Sequence, residues 1–458
     1  MRIELGTPTP LRVISEATAG QLKCDKNPMI THISTDSREI SSGDLFFALR
    51  GERFDGADFV DSARKQGAYI LSSRAEISDV FHPDARRALL NFAAYYVKTL
   101  PYLLYKIGIT GSVGKTTTKE FAKILISQKY KTHASVGNFN NEIGLPLSVL
   151  SAKQDTQVLL MEMGMNSRGE IGRLSKCLRP DIAAITNIGS AHIGRLGSRE
   201  EIAMAKLEIL EGMNNGKIIV PKEEKLLLHL DRKLTFSTTD KNANIYLEKD
   251  ENGSLIIYEQ GEYLCSSSFA LSEDHYMKCL GTAVSIAIEL GLFPDELRHG
   301  ISLISRFNIR QKEFYAEKFH FYVDCYNASR ESMLAAINEF SKKKTEESKS
   351  LLLGEILELG DSREKIHIEV GKSISNKVIS RLFLYGKYAK EIGTGAINNG
   401  FPADRIYLNS NTNDPSITAE QIRKHCDDGE HIFVKGSRGV RLERVVDSFK
   451  RRKEENDE

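Results

Sequence analysis

Apolar runs and apolar stripes alternate along this chain in a pattern that predicts strands followed by helices. Short continuous apolar runs read as buried strands at Lys106–Thr110, Val158–Met163, Ile182–Ile188 and Lys217–Val220. Between them the apolar residues fall at helical spacing, with Phe121, Ile124 and Leu125 on one side of a helix. A more polar stretch, Phe236 to Ser268, predicts short antiparallel strands that extend a sheet edge. From about residue 305 the alternation starts afresh with SLLLGEI, RLFLYG and HIFVKGS, each separated by helical pattern. Residues before about 104 mix short strands and turns, as in DLFFALRG. The expected organisation is three segments, 1–104, 105–304 and 305–458. The fold class is α/β, with two successive parallel sheets of doubly wound type.

Composition narrows the picture little but usefully. A chain of 458 residues holds roughly two to four domains. Its 63 basic and 62 acidic residues balance, so nothing points to a general nucleic-acid or anionic-membrane surface, and a local basic pocket stays open. The N-terminus, MRIELGTPTP, lacks the apolar core of a secretory signal, and no apolar run is long enough to span a membrane, so a cytoplasmic location without membrane insertion is expected. The six cysteines (Cys24, Cys177, Cys265, Cys279, Cys325, Cys426) are scattered without a C-x-x-C pair and fit reduced thiols.

The strongest chemical signal is YKIGITGSVGKTTTKEFAKILISQK, residues 105 to 129. A strand leads into Gly111, Ser112, Val113 and Gly114, then Lys115, Thr116, Thr117 and a helix. Glycines let backbone N–H groups turn toward an anion, and the helix N-terminus adds positive potential. Lys115 would reach the outer phosphates of a nucleotide and the Thr116 hydroxyl would reach Mg²⁺. The spacing is unusual, because Ile109 stands where the first glycine of G-x-x-x-x-G-K-[ST] belongs. The competing reading is an ordinary glycine turn before a helix.

Other candidates follow strand ends, where open α/β sheets gather ligands. Glu162 ends the second strand of this series and could hold a cation, or be a solvated carboxylate. His192 follows the third strand in TNIGSAHIGRLGS; a lone histidine is more often structural than a ligand. A helix is expected from about Arg199 to Met213, with an apolar stripe of Ile202, Ile209, Leu210 and Met213. Lys206 falls in the middle of that stripe. An inward lysine must find a partner, lose its charge, or snorkel out along its stem. Once neutral it can take up CO₂ as a carbamate, an anion able to bind a metal. The last segment offers Arg310, Asp324, VDCYNASRESM, LLLGEILELGD, His367 and VKGSRGV, where Lys435 and Arg438 suit an anionic group.

Together these strings resemble the Mur ligase family over nearly the whole chain. TDSREISSGDLFFALRGERFDGADF resembles its UDP-binding domain, and GITGSVGKTTTKE its phosphate loop. GNFNNEIGLPLSVL, EMGMNSRGEI, TNIGSAHIGRLGS and AKLEIL are similar to the central domain, in order. DCYNASRESM, LGEILELGD with His367, and VKGSRG are similar to the C-terminal domain. The resemblance implies a small α/β N-terminal UDP-sugar-binding domain, a central P-loop-type parallel-sheet ATPase domain and a C-terminal Rossmann-like ligase domain. LGEILELG and KGSRG point, within the family, to the ligase that adds D-alanyl-D-alanine to UDP-N-acetylmuramoyl-tripeptide during peptidoglycan precursor synthesis.

The resemblance further implies ATP, two Mg²⁺ sites and an acyl-phosphate intermediate. Lys115 would contact phosphates, Thr116 and Glu162 would hold one Mg²⁺, and His192 with a carbamylated Lys206 would support a second. Asn138, Asn141 and Asn187 match polar positions near nucleotide and substrate, and Asn327 belongs to the C-terminal loop. Arg310 and Asp324 match residues that close onto ATP, while Ser37 and Arg38 match the UDP-sugar site. A monomer is expected. The sequence departs from the family at His275-Tyr276-Met277-Lys278-Cys279, where H-N-x-x-N is usual, at Ser329 and Arg330 in place of Asn and Pro, and at Ser167 in place of a histidine. The alternatives are a Mur-type ligase adding a single amino acid, and a non-catalytic nucleotide-binding homologue.

Overall fold

The computed structural model describes all residues except 52–53, 138, 192, 270–273, 305–311, 326–327, 358 and 455–458, with backbone alone at 312 and 450–454. The described chain forms three sheets and divides into two compact units. The first unit comprises Met1–Ile188 and Ala203–Ser305; the second comprises Gly189–Ile202 and Arg306–Glu458.

The first unit holds two sheets. The smaller has six strands, in the order Arg2–Pro10, Met29–Ser34, Leu45–Phe47, Tyr69–Ser72, Val80–Phe81 and Gln21–Leu22. Its middle pairs are parallel and both edge pairs antiparallel. Phe46, Val60, Ala63 and Ile70 are buried together on one side of it. The larger sheet has nine strands, in the order Glu262–Ser268, Ser254–Glu259, Ile245–Lys249, Lys233–Ser237, Lys217–Pro221, Ile182–Ile185, Tyr105–Thr110, Val158–Glu162 and Thr132–Ala134. The last seven run parallel, and the first two pair antiparallel beyond Ile245–Lys249, forming the extension expected from the polar stretch after Phe236. Val158, Leu159 and Leu160 are all fully buried, as a strand covered on both faces requires.

The second unit is built on six strands, in the order Lys312–Ala316, Phe319–Asp324, His431–Lys435, Lys349–Gly354, Arg381–Tyr385 and Ile406–Asn409. Only the first pair is antiparallel. Leu351 and Leu353 face one apolar core with Met333 and Val370, while Leu352 faces another with Phe321 and Val446. Segment Gly189–Ile202 belongs to this unit: Glu331 accepts hydrogen bonds from the Ser190 amide (3.0 Å) and hydroxyl (3.1 Å).

Two elements end earlier than their patterns predict. The strand expected over Ile182–Ile188 stops at Ile185, because Thr186 and Asn187 turn their side chains to the Gly111–Gly114 loop. The helix expected over Arg199–Met213 runs from Arg199 to Leu207 and tightens into a 3₁₀ turn over Glu208–Gly212. Glu208 reaches back to accept from the Gly169 amide (2.7 Å) and the Gly172 amide (3.2 Å), which pulls the last turn toward the helix Glu170–Leu178.

Candidate active site

The centre of the first unit is the turn between the strand Tyr105–Thr110 and the helix Lys115–Ile126. Gly111 has φ +149° and Gly114 φ +84°, both in the region that L side chains avoid. A Cβ on Gly111 would lie 1.9 Å from Thr186 Oγ1, so neither conformation nor space admits a side chain there. The loop is held from beneath. Thr186 Oγ1 donates to the Val113 carbonyl (2.6 Å), and Asn187 Oδ1 accepts from the Ser112 and Val113 amides (3.0 Å each). Lys115 Nζ donates to the Gly111 carbonyl at 2.7 Å. Thr117 is buried in the first turn of the helix.

Glu162 ends the strand beside Tyr105–Thr110, in register with Ile109, and its side chain is 1% exposed. Its Oε2 accepts from Thr116 Oγ1 at 2.7 Å and its Oε1 from Asn140 Nδ2 at 2.9 Å. Hydroxyl and carboxylate oxygens are the hard ligands that Mg²⁺ takes, so this pair fits that ion chemically. Among the described residues no cluster of three His, Cys, Asp or Glu side chains could hold a metal.

Lys206 supplies the most unusual electrostatics. It is buried, and desolvation pushes its pKa well below the ordinary lysine value. The Lys115 ammonium pushes it in the same direction. The inward aim expected from the apolar stripe is therefore found, and the amine is biased toward its neutral form.

The other candidates divide by location. Asn141 Oδ1 accepts from the Ile143 and Gly144 amides and so starts the helix Gly144–Leu150. Ser37 and Arg38 lie in a 3₁₀ turn of the small sheet, where the Arg38 guanidinium grips Asp36 and holds that carboxyl well below the usual carboxylate range. In the second unit Asp324 and Lys435, at the carboxyl ends of neighbouring parallel strands, form an ion pair, and Arg438 is exposed just beyond. His367 is fully buried; its Nε2 accepts from the Ile356 amide (2.9 Å) and its Nδ1 donates to the Arg363 carbonyl (2.7 Å). Asn138, His192, Arg310 and Asn327 lie outside the described residues.

At the departures from the family pattern, Tyr276 packs its ring against Phe121 (centroids 6.4 Å apart) and the Cys279 thiol donates to the Gly114 carbonyl (3.7 Å). Sequence reasoning missed Asn140, Ser135 and Lys119, although all three bear on Glu162 or its surroundings. Ser135 Oγ accepts the Glu162 amide at 2.9 Å, and Lys119 Nζ donates to the Ser135 and Gly137 carbonyls (2.7 and 3.1 Å).

Comparison with known proteins agrees with this architecture. Residues 29–103 match the description "Mur ligase family, catalytic domain" and residues 109–272 match "Mur ligase middle domain". The chain is 35% identical over 434 residues to the UDP-N-acetylmuramoyl-tripeptide–D-alanyl-D-alanine ligase of Bacillus subtilis, covering 91% of this chain and 93% of that one. It is 29% identical to the enzyme of the same name from Escherichia coli, covering 90% and 92%. Among solved structures, MurF from Acinetobacter baumannii superposes with a TM-score of 0.84 at 26% identity, covering 98% of this chain and 99% of that one. MurF ligase from Thermotoga maritima, solved in complex with ADP, gives a TM-score of 0.76 at 26% identity over 93% and 98%.

Proposed function

We propose, for a chain that belongs to the Mur ligase family, the activity of its full-length relatives: ATP-dependent addition of D-alanyl-D-alanine to UDP-N-acetylmuramoyl-tripeptide in peptidoglycan precursor synthesis. The observation that carries the reading is that likeness to such ligases spans nine-tenths of the chain, and a tight glycine turn before Lys115 and Thr116, with the Thr116 hydroxyl on Glu162, supports it.

The chemistry proceeds in two steps. The terminal carboxylate of the tripeptide attacks the γ-phosphorus of ATP; the bond to the bridging oxygen breaks and ADP leaves. The dipeptide amine then adds to the acyl phosphate, and the tetrahedral intermediate collapses to an amide as inorganic phosphate leaves and the amine gives up a proton. In-line phosphoryl transfer is mostly positioning and charge stabilisation. In this reading the Gly111–Gly114 turn, the start of the helix after it and the Lys115 ammonium receive the outer phosphates, with Lys115 leaving the Gly111 carbonyl to do so. Thr116 and Glu162 would hold one Mg²⁺. Lys206, as its carbamate, and His192 would support a second. Bound cations supply positive charge against the phosphate and acyl oxygens. Burial and the Lys115 charge bias Lys206 toward the neutral amine that carbamate formation needs.

For substrate, Ser37 and Arg38 are assigned to the UDP-sugar, and Asn138, Asn141, Asn187 and Asn327 to polar contacts of nucleotide or substrate. Arg310 and Asp324 are assigned to ATP, and Lys435 and Arg438 to an anionic group. Among the described residues no helix is long and apolar enough to cross a membrane, which fits a substrate that is water-soluble. The protein acts as a monomer in this reading.

The test is phosphate release from ATP and Mg²⁺ with D-alanyl-D-alanine and a panel of UDP-N-acetylmuramoyl-tripeptides differing in the third residue. Release that needs both the dipeptide and one of the tripeptides is expected. Release with a single amino acid in place of the dipeptide points to another Mur-type ligase. No release from a folded sample points to a nucleotide-binding homologue without turnover.

A further inference from the structure

A carboxylate that is to hold a cation must be turned to it, and Glu162 is turned from two sides. Its Oε2 is met by the Thr116 hydroxyl, and its Oε1 by Asn140 Nδ2. A carboxylate only accepts hydrogen bonds, so this contact also fixes which way round the Asn140 amide sits. The main-chain carbonyl of Asn140 in turn accepts from the Gly164 amide at 2.7 Å, just past the strand that carries Glu162. Asn140 therefore bridges the carboxylate and the backbone two residues beyond it.

The loop that delivers Asn140 is itself anchored by a buried cation. Lys119 is 0% exposed and lies one helical turn after Lys115. Its ammonium donates to the Ser135 carbonyl (2.7 Å) and the Gly137 carbonyl (3.1 Å), and sits 2.9 Å from the Glu120 carboxylate. Burying a cation is costly unless such partners replace water. An apolar residue would fill the space and leave two carbonyls without their donor. The same turn presents Ser135 Oγ to the Glu162 amide. One helix thus carries Lys115 and Thr116 at its start and, through Lys119, sets the loop that aims the acid opposite them.

We propose that Asn140 and Lys119 are positioning residues for phosphoryl transfer: Asn140 sets the rotation of the Glu162 carboxylate toward the cation, and Lys119 fixes the turn that carries Asn140. The proposal rests on Glu162 being the cation-holding acid. Outer partners of metal ligands typically change metal affinity or activity by about 10- to 100-fold when removed.

The test uses the full chain with ADP and Mn²⁺, free Mn²⁺ being read by electron paramagnetic resonance, and compares Asn140→Leu, Lys119→Met and Glu162→Ala with wild type. Asn140→Leu is expected to weaken Mn²⁺ binding by about tenfold or more and to raise half-saturating Mg²⁺ in the ligase assay, with KM for D-alanyl-D-alanine unchanged. Lys119→Met, if it folds, is expected to move the same two quantities in the same direction. A structural defect alone would lower kcat without singling out the cation. Wild-type Mn²⁺ affinity in Asn140→Leu, beside loss in Glu162→Ala, overturns the proposal alone. Wild-type affinity in Glu162→Ala overturns the assignment of Glu162 beneath it.

Discussion

At Lys206 the proposed role and the stability of the fold pull in opposite directions. Its pKa is lowered by burial and by Lys115, so folding favours the neutral amine where the unfolded chain is protonated. The stability it contributes is whole only above the unfolded value near 10.5 and is lost as pH falls from there, so at neutral pH the lysine costs stability. Replacing it with an isosteric apolar residue should therefore stabilise the fold. Lys206→Met is expected to melt at a higher temperature in bicarbonate-free buffer while losing most ligase activity, which added bicarbonate does not restore. A lower melting temperature with full activity would remove Lys206 from the mechanism. In the wild type, ¹³C-bicarbonate should give a carbamate signal that Lys206→Met lacks. Lys115→Ala is expected to abolish ATP turnover; retained turnover would mean the Gly111 loop holds no phosphate.

At the scale of elements, the glycine loop and the His367 contact invite separate tests. Gly111→Ala drives a Cβ into Thr186 and should abolish ADP binding by calorimetry while the second unit keeps its thermal transition. His367 links the helix Arg363–Lys372 to the Ile356 amide through an unprotonated Nε2, and burial holds its pKa below the ordinary value. The unfolded chain takes a proton near pH 6.5 that the fold refuses, so this stability is present above about 6.5 and lost as pH falls toward the folded value. Melting at pH 5.5 should come earlier than at pH 7.5, and His367→Gln should narrow the gap; an unchanged gap would assign the acid sensitivity elsewhere. These elements also mark what periodicity could and could not reveal. Val158–Leu160 and Leu351–Leu353 were legible because strands covered on both faces carry unbroken apolar runs. Lys119 was not, since a lysine on an amphipathic helix ordinarily reads as solvated, and only the tertiary fold brings the Ser135 and Gly137 carbonyls over it. Asn140 hid between Asn138 and Asn141 for the same reason: no local rule says which asparagine meets an acid 22 residues on. The early stops at Ile185 and Leu207 come from a few side chains, Thr186 and Asn187 at the first and Glu208 at the second, that trade a regular element for a contact elsewhere.

For the molecule as a whole, all six cysteines are free thiols, and burial pushes Cys177 up to about 12 and holds Cys265, Cys325 and Cys426 above the ordinary value. A disulfide reagent at pH 8 should label the native protein slowly, beginning with the partly exposed Cys24, and all six quickly in denaturant; rapid native labelling of four or more would contradict the burial. The partition of the chain also has a consequence during synthesis. Ser190 is made with the first unit yet finds its carboxylate on Glu331, 141 residues later. At about 5–20 residues per second, a ribosome delivers that partner roughly 7–28 s afterwards. For that interval the Ser190 amide and hydroxyl are made without the carboxylate they meet in the finished fold, and a message that stalls before Glu331 never supplies it.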